Sequence, residues 1–142
     1  DQEGLEHLRA LLKLMHESKT DYTLTFRSLS EVAQGEAKEF ISFFDKENPI
    51  SDWIKDWGKL LNKQKKGRSE TVDLMNSLNP LYIPRNHLVE RAIQLGVNNQ
   101  DFSYMLKLSK ILERPFTAQD IEPEFYLPPK EEEKVRETFC GT

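Results

Sequence analysis

The sequence predicts an all-α fold: an irregular bundle of about seven helices followed by an extended, proline-rich C-terminal segment over 117–142. Three observations lead there. Between residues 3 and 112 apolar residues recur at three- and four-residue steps, the period of one helix face. No stretch alternates apolar and polar residues as a half-buried strand does, and no motif repeats at a fixed interval. Helix stops and starts (single glycines, Asn-Pro pairs and cap residues) fall at short spacing, which favours antiparallel neighbours in a bundle.

Taken in order, Leu5, Leu8, Leu11, Leu12 and Met15 give a first helix over 3–17. Thr20 or Asp21 offers a cap oxygen to a second, in which Tyr22, Phe26, Leu29, Val32 and Ala33 share a face. Gly35 stops it, because glycine reaches the left-handed angles of a helix end without a Cβ clash. Residues 36–45 read as a third helix, with Phe40, Ile41, Phe43 and Phe44 turned inward. Asn48-Pro49 marks a break, since a residue before proline is pushed out of helical angles. Ser51 then caps a fourth helix carrying Trp53, Ile54, Trp57, Leu60 and Leu61.

The basic stretch 63–69 reads as a surface linker between a front helical layer, 1–62, and a second layer, 70–116, of one domain. The second layer opens with a helix over 69–78 bearing Val72, Leu74, Met75 and Leu78, ended by Asn79-Pro80. Pro84 suits a first helical turn, so a helix follows to Leu95 and closes at Gly96. Asp101 starts another, in which Phe102, Met105, Leu106, Leu108, Ile111 and Leu112 are expected inside; Arg114-Pro115-Phe116 ends it. From Thr117 the chain is rich in Pro and Glu and is expected to run extended over the surface, with a short last helix over 131–137.

The bulk composition narrows the function classes. With 142 residues, 37% hydrophobic, 31% charged and fourteen aromatics, the chain can bury a core and fold. A net charge of −4 and a pI near 5.5 argue against nucleic acid or an acidic membrane as partner. Apolar runs such as 41–44 are far too short to span a bilayer. The three histidines and one cysteine keep no zinc-ligand spacing, so no metal site is expected. The six glycines stand singly, without a phosphate-cradling loop, and no kinase catalytic loop or Gly-x-Ser-x-Gly elbow occurs. The chain opens on Asp rather than Met and lacks a basic, then apolar, leader; it is expected to be a piece of a larger protein.

Four features carry chemistry beyond a plain core. Asp21-Tyr22-Thr23-Leu24-Thr25-Phe26-Arg27 supplies a helix cap and two aromatics, and leaves Arg27 to pair with a carboxylate or meet a neighbouring domain. In Asn79-Pro80-Leu81-Tyr82-Ile83-Pro84-Arg85-Asn86-His87 two prolines fix a helix–helix connection. Arg85, Asn86 and His87 then occupy a helix N-terminus, where positive charge opposes the macrodipole; a carbonyl cap, a buried carboxylate or another domain would account for them. The run 63–68 is a solvated loop on its plain reading. Cys140, third from the end, is either a small apolar residue or an available thiol.

Those two stretches, with Phe139-Cys140-Gly141-Thr142 after them, resemble the C-terminal region of selenoprotein O proteins, known in bacteria as the YdiU family. Trp53 with Trp57 and Pro128-Pro129 fall in the order that region would have, and the resemblance covers essentially the whole chain. It implies a parent protein with a kinase-like fold that transfers AMP from ATP to hydroxyl side chains of other proteins, using Mg or Mn, with the nucleotide flipped relative to ordinary kinases. No position here matches the family's nucleotide- and metal-binding motifs, so this piece is expected to hold no catalytic residue and to bind no cofactor alone. The resemblance carries over Cys140, which matches a selenocysteine or cysteine of the family and implies a redox role, for example a disulfide to the kinase-like part. Expected partners are that upstream kinase-like domain, contacted by Arg27, Arg85, Asn86 or His87, and the protein substrates of the parent. The expected compartment is the cytoplasm for a bacterial protein and the mitochondrion for a eukaryotic one. A stand-alone helical interaction module is the alternative. It would show a closed surface with one bounded groove, whereas a docking piece would leave a large apolar patch open.

Overall fold

Seven α-helices make up most of the chain in the computed structural model, which describes residues 2–136. They are α1 (Gln2–Ser18), α2 (Tyr22–Gln34), α3 (Lys38–Ser42), α4 (Glu47–Lys63), α5 (Arg68–Leu78), α6 (Asn86–Asn99) and α7 (Ser103–Leu112). Among the described residues there is no strand, so the class is all-α as expected, and no helix is long and apolar enough to cross a membrane. The helices belong to two compact units. Residues 1–79 hold α1 to α5; residues 80–142 hold α6, α7 and two 3₁₀ turns, Pro123–Phe125 and Glu131–Glu133.

Local chemistry sets the helix ends. Asp21 Oδ2 accepts from the Leu24 backbone N–H at 3.1 Å and starts α2. Gly35, at φ 101°, ends it: Gly35 N–H donates to Val32 O and Glu36 N–H to Glu31 O, both at 3.0 Å. Three expected boundaries move. α4 begins at Glu47, ahead of Ser51, with Pro49 inside its first turn; N–H groups there have no intrahelical acceptor, so proline removes no bond. α3 is shorter than 36–45, covering only Lys38–Ser42. α6 runs through Gly96 to Asn99 and stops at Gln100, whose φ is 53°. Gly96 is there for space: a Cβ on it would lie 3.1 Å from Phe102 Cε1.

In the first unit, Leu11 and Met15 of α1, Leu29 and Val32 of α2, Phe40, and Ile50 and Trp53 of α4 form the core, with Phe40 and Ile50 wholly enclosed. Burial of side chains of this size contributes roughly 1.5–3 kcal/mol each. The Trp53 indole N–H donates to His7 O at 2.9 Å, which ties α4 to α1. α2 and α5 pack closely, and two arginines join them in opposite senses. Arg27 of α2 donates from Nη1 to Asn76 O (2.9 Å) and Asn79 O (2.8 Å) at the end of α5. Arg68, the first residue of α5, donates from Nη1 to Ala33 O (2.9 Å) at the end of α2 and from Nη2 to Asn62 Oδ1 (2.7 Å). Both guanidinium groups thus meet the negative end of a helix dipole. The basic stretch is the turn between α4 and α5 within this unit, and the chain divides after Asn79.

The second unit is built on Tyr82, Leu88, Leu108, Ile111 and Phe125. Phe125 corrects the expectation that the proline-rich segment only crosses the surface: Pro123 fixes a 3₁₀ turn that drives the Phe125 ring into the core, where it is 2% exposed. Two further expectations fail here. Phe102, Met105 and Leu106, expected inside, are 53%, 40% and 69% exposed; α7 is a ten-residue helix whose core face is set by Leu108 and Ile111, and Leu106 lies roughly 160° around from Leu108. The helix over 131–137 is a single 3₁₀ turn, Glu131–Glu133; the last of those positions lies outside the described residues.

Candidate functional site

The residues singled out by sequence separate into both units. Arg27 belongs to the first, where its side chain is engaged with α5; Arg85, Asn86 and His87 come together at the start of α6 in the second. Cys140 lies outside the described residues.

The second unit places its site by a rigid entry to α6. Leu81 and Tyr82 N–H both donate to Pro115 O, at 2.8 and 3.2 Å, and Arg85 N–H donates to Ile83 O at 2.8 Å. Arg85 is the N-cap residue, and its carbonyl accepts from Leu88 and Val89 N–H. Its side chain is buried, with the residue 9% exposed, and is engaged within the unit: Nη2 donates to Tyr126 O at 3.1 Å, at the end of the Pro123–Phe125 turn. The carbonyl-cap explanation of Arg85 is therefore satisfied inside the unit. Asn86 is exposed. The His87 side chain is nearly enclosed, its Nε2 stands 3.9 Å from Glu133 Oε2, beyond hydrogen-bond range, and its Nδ1 is buried without a hydrogen-bond partner. Burial holds the His87 pKa below its ordinary value; Glu133 and Glu124 pull it up, and Arg85 adds to the lowering. A shallow cleft of about 440 Å³ opens beside these residues, with Pro129, Lys134 and Val135 on its far wall.

Residues that the sequence reading passed over fasten the proline-rich segment to the helices. Arg91 pairs with Glu124 at 2.8 Å and lies 4.8 Å over the Tyr104 ring, while Lys107 holds Glu122 at 2.7 Å and sits above Phe125. Gln119 N–H donates to Tyr82 Oη at 2.8 Å, and its side-chain amide donates to Ile111 O and Arg114 O. Helical spacing could not reveal the pairs Arg91–Glu124, Lys107–Glu122 and Gln119–Tyr82, because their partners lie 33, 15 and 37 residues away.

The first unit has a cleft of about 290 Å³ between α1, α2 and α4, whose apolar lining is Leu8, Leu11, Phe26, Leu29, Trp53 and Trp57. The His7 ring stacks on Trp53 at 4.5 Å, and Trp53 on Trp57 at 5.5 Å. Burial lowers the His7 pKa, against the pull of Asp56. Lys63 and Glu3 pair across the rim at 3.0 Å. Among the described residues no three His, Cys, Asp or Glu side chains converge in a group that could hold a metal ion.

Comparison with known proteins fits the chain into a larger whole. The family described as Protein adenylyltransferase SelO matches residues 1–113. The chain is 40% identical over 137 residues to the Protein nucleotidyltransferase YdiU of Maridesulfovibrio salexigens, covering 96% of this chain and 28% of that protein. It is 40% identical over 140 residues to the protein of the same name from Rhizobium johnstonii, with 97% and 28% covered. Against that of Bacillus cereus strain G9842 the identity is 37% over 135 residues, with 95% and 27% covered. The chain thus spans little more than a quarter of the length of these relatives, and by its match over most of its residues it belongs to the protein adenylyltransferase SelO family.

Proposed function

We propose that this chain is the C-terminal helical part of a protein adenylyltransferase, and that the complete polypeptide transfers AMP from ATP to Ser, Thr or Tyr hydroxyls of other proteins. The observation that carries the proposal is the family match over residues 1–113 together with relatives named protein nucleotidyltransferases that are more than three times as long. Among the described residues no three His, Cys, Asp or Glu side chains stand together as a group that could hold a metal ion. The proposal therefore puts nucleotide and metal in the remainder of the polypeptide, in a kinase-like domain, and gives this chain a supporting role. Arg27 and Arg85 support it from within, Arg27 by its hydrogen bonds to the end of α5 and Arg85 by its hydrogen bond to Tyr126 O in the proline-rich segment. Asn86, exposed at the start of α6, and His87 are the members of the set to which the proposal gives the contact with another domain. Cys140 acts in the same proposal as a redox-responsive thiol whose disulfide partner lies in the kinase-like part.

The experiment uses the complete polypeptide with labelled ATP and Mg or Mn, compared with Cys140→Ser under oxidising and reducing conditions. AMP transfer that falls on oxidation in the unsubstituted protein but not in Cys140→Ser is the expected result. Transfer with identical responses removes the redox role and leaves the supporting one. Absence of transfer in every condition overturns the enzymatic reading and favours a helical interaction module.

A further inference from the structure

The apolar arc of α1 is wider than its own unit covers. Leu11 and Met15 enter the core, at 1% and 6% exposure. Leu5, Leu8 and Leu12 lie roughly 60–120° around the axis from Leu11 and are 47%, 40% and 41% exposed. Their i, i+3, i+7 spacing aligns them in one strip, unlike isolated surface leucines, which need no explanation. Leu8 also borders the cleft whose inner wall is Phe26, Leu29 and Trp57, so strip and cleft are continuous. Arg9 and Lys13 complete α1 on its polar side.

We propose that this strip and cleft seat an amphipathic helix from the part of the polypeptide outside these 142 residues. The inference rests on the reading that the chain is one part of a longer adenylyltransferase, and it names the face by which that part is held. Two observations select this occupant over a second copy. Nearly three-quarters of each relative's length lies outside the matched stretch, which leaves ample chain to supply the covering element. The strip is also small, on the order of a few hundred Å², less than the large open patch expected of a docking piece and less than the roughly 800 Å² per partner of a stable interface. An area of that size suffices when the partner is tethered, because a linked segment meets it at high effective concentration without the full cost of association. A helix with apolar residues at three- and four-residue steps fits such a groove, one side chain entering the cleft against Trp57 and the others lying along the leucines.

The test places the photo-reactive residue p-benzoylphenylalanine at position 8, 12 or 13 of the complete polypeptide, and maps cross-links by peptide mass spectrometry. Lys13, 77% exposed at its side chain and turned roughly 100–140° around α1 from Leu12 and Leu8, is the control. Cross-links from positions 8 and 12 to peptides outside residues 1–142 of the same molecule, several-fold above those from position 13, are expected. Cross-linked dimers would assign the face to a second copy and overturn the proposal. So would links running to residues 80–142, or yields at 8 and 12 no higher than at 13. AMP transfer by the unsubstituted protein is measured separately. Cross-links without transfer leave the docking face standing and sink the enzymatic reading; transfer without cross-links does the reverse.

Discussion

Replacing Arg27 by Ala tests whether this residue serves the fold or an outside partner. Its Nη1 donates to two carbonyls in the last turn of α5, at 2.9 and 2.8 Å, across a separation of about fifty residues. A hydrogen bond from an ionised donor contributes about 1.5–3 kcal/mol net. The site is only half-buried, so water can replace part of the loss at the freed carbonyls, and the expected destabilisation is about 2 kcal/mol for the pair. Both tryptophans, Trp53 and Trp57, lie in the first unit, so their fluorescence reports its unfolding alone. With a urea slope of about 1 kcal/mol/M for a unit of this size, the midpoint falls by about 2 M. Arg27→Lys keeps one point charge near the carbonyls but loses the planar fork, and is expected to recover less than half of the shift. A midpoint for Arg27→Ala within about 0.5 M of the parent would refute the reasoning and return Arg27 to the interdomain role.

Two further outcomes follow from the second unit. Gln100 ends α6 at φ 53°, where a side chain costs about 1–2 kcal/mol and the glycine's looser unfolded chain takes back about 0.5–1, so Gln100→Gly should stabilise by about 0.5–1 kcal/mol. Hydrogen exchange of α6 amides should slow about threefold, and faster exchange would refute it. Burial holds the His87 pKa below the ordinary 6.5. The folded state therefore favours neutral imidazole. Its contribution is fully present above 6.5 and is lost as pH falls through the folded value, because the unfolded chain takes up the proton first. Protection of α6 amides should fall between pH 7.5 and 5.5 in the parent and less steeply in His87→Gln; equal slopes would refute the assignment.

Local signals in the sequence located most of the helices, and the failures have physical causes. Asp21 and Gly35 bound α2 because cap and stop act through the backbone within a few residues, so no tertiary knowledge is needed. Pro49 misled because the same residue that breaks a helix interior is harmless in a first turn, and only the position of the start decides which applies. Gly96 misled because a glycine that makes room for Phe102 looks, in one dimension, like a glycine that ends a helix. The anomaly of a cation at the start of α6 was legible, but not its resolution: the carbonyl that Arg85 reaches is Tyr126 O, 41 residues on. In the same way Leu5, Leu8 and Leu12 were read as one apolar face with Leu11 and Met15, while the division of that face into covered and open halves depends on how α1 sits over α4.

The paired arginines of α2 and α5 have a consequence for how this fold can vary. Each helix carries a side chain that finds the other's terminus, at Arg27 to Asn76 and Asn79 and at Arg68 to Ala33, so the alignment of the two is fixed at both ends by side chains. A slip of one turn, about 5.4 Å, would break both attachments at once. The connecting stretches are then released from the task of measuring distance. The turns before α4 and between α4 and α5 should accept inserted or deleted residues at small cost, since closing a somewhat longer loop adds only a fraction of a kcal/mol, roughly 0.6 for a doubling. Length variation within the first unit is expected to collect in 45–46, beyond the buried Phe44, and in 64–67, while α2 and α5 keep their lengths and their arginines.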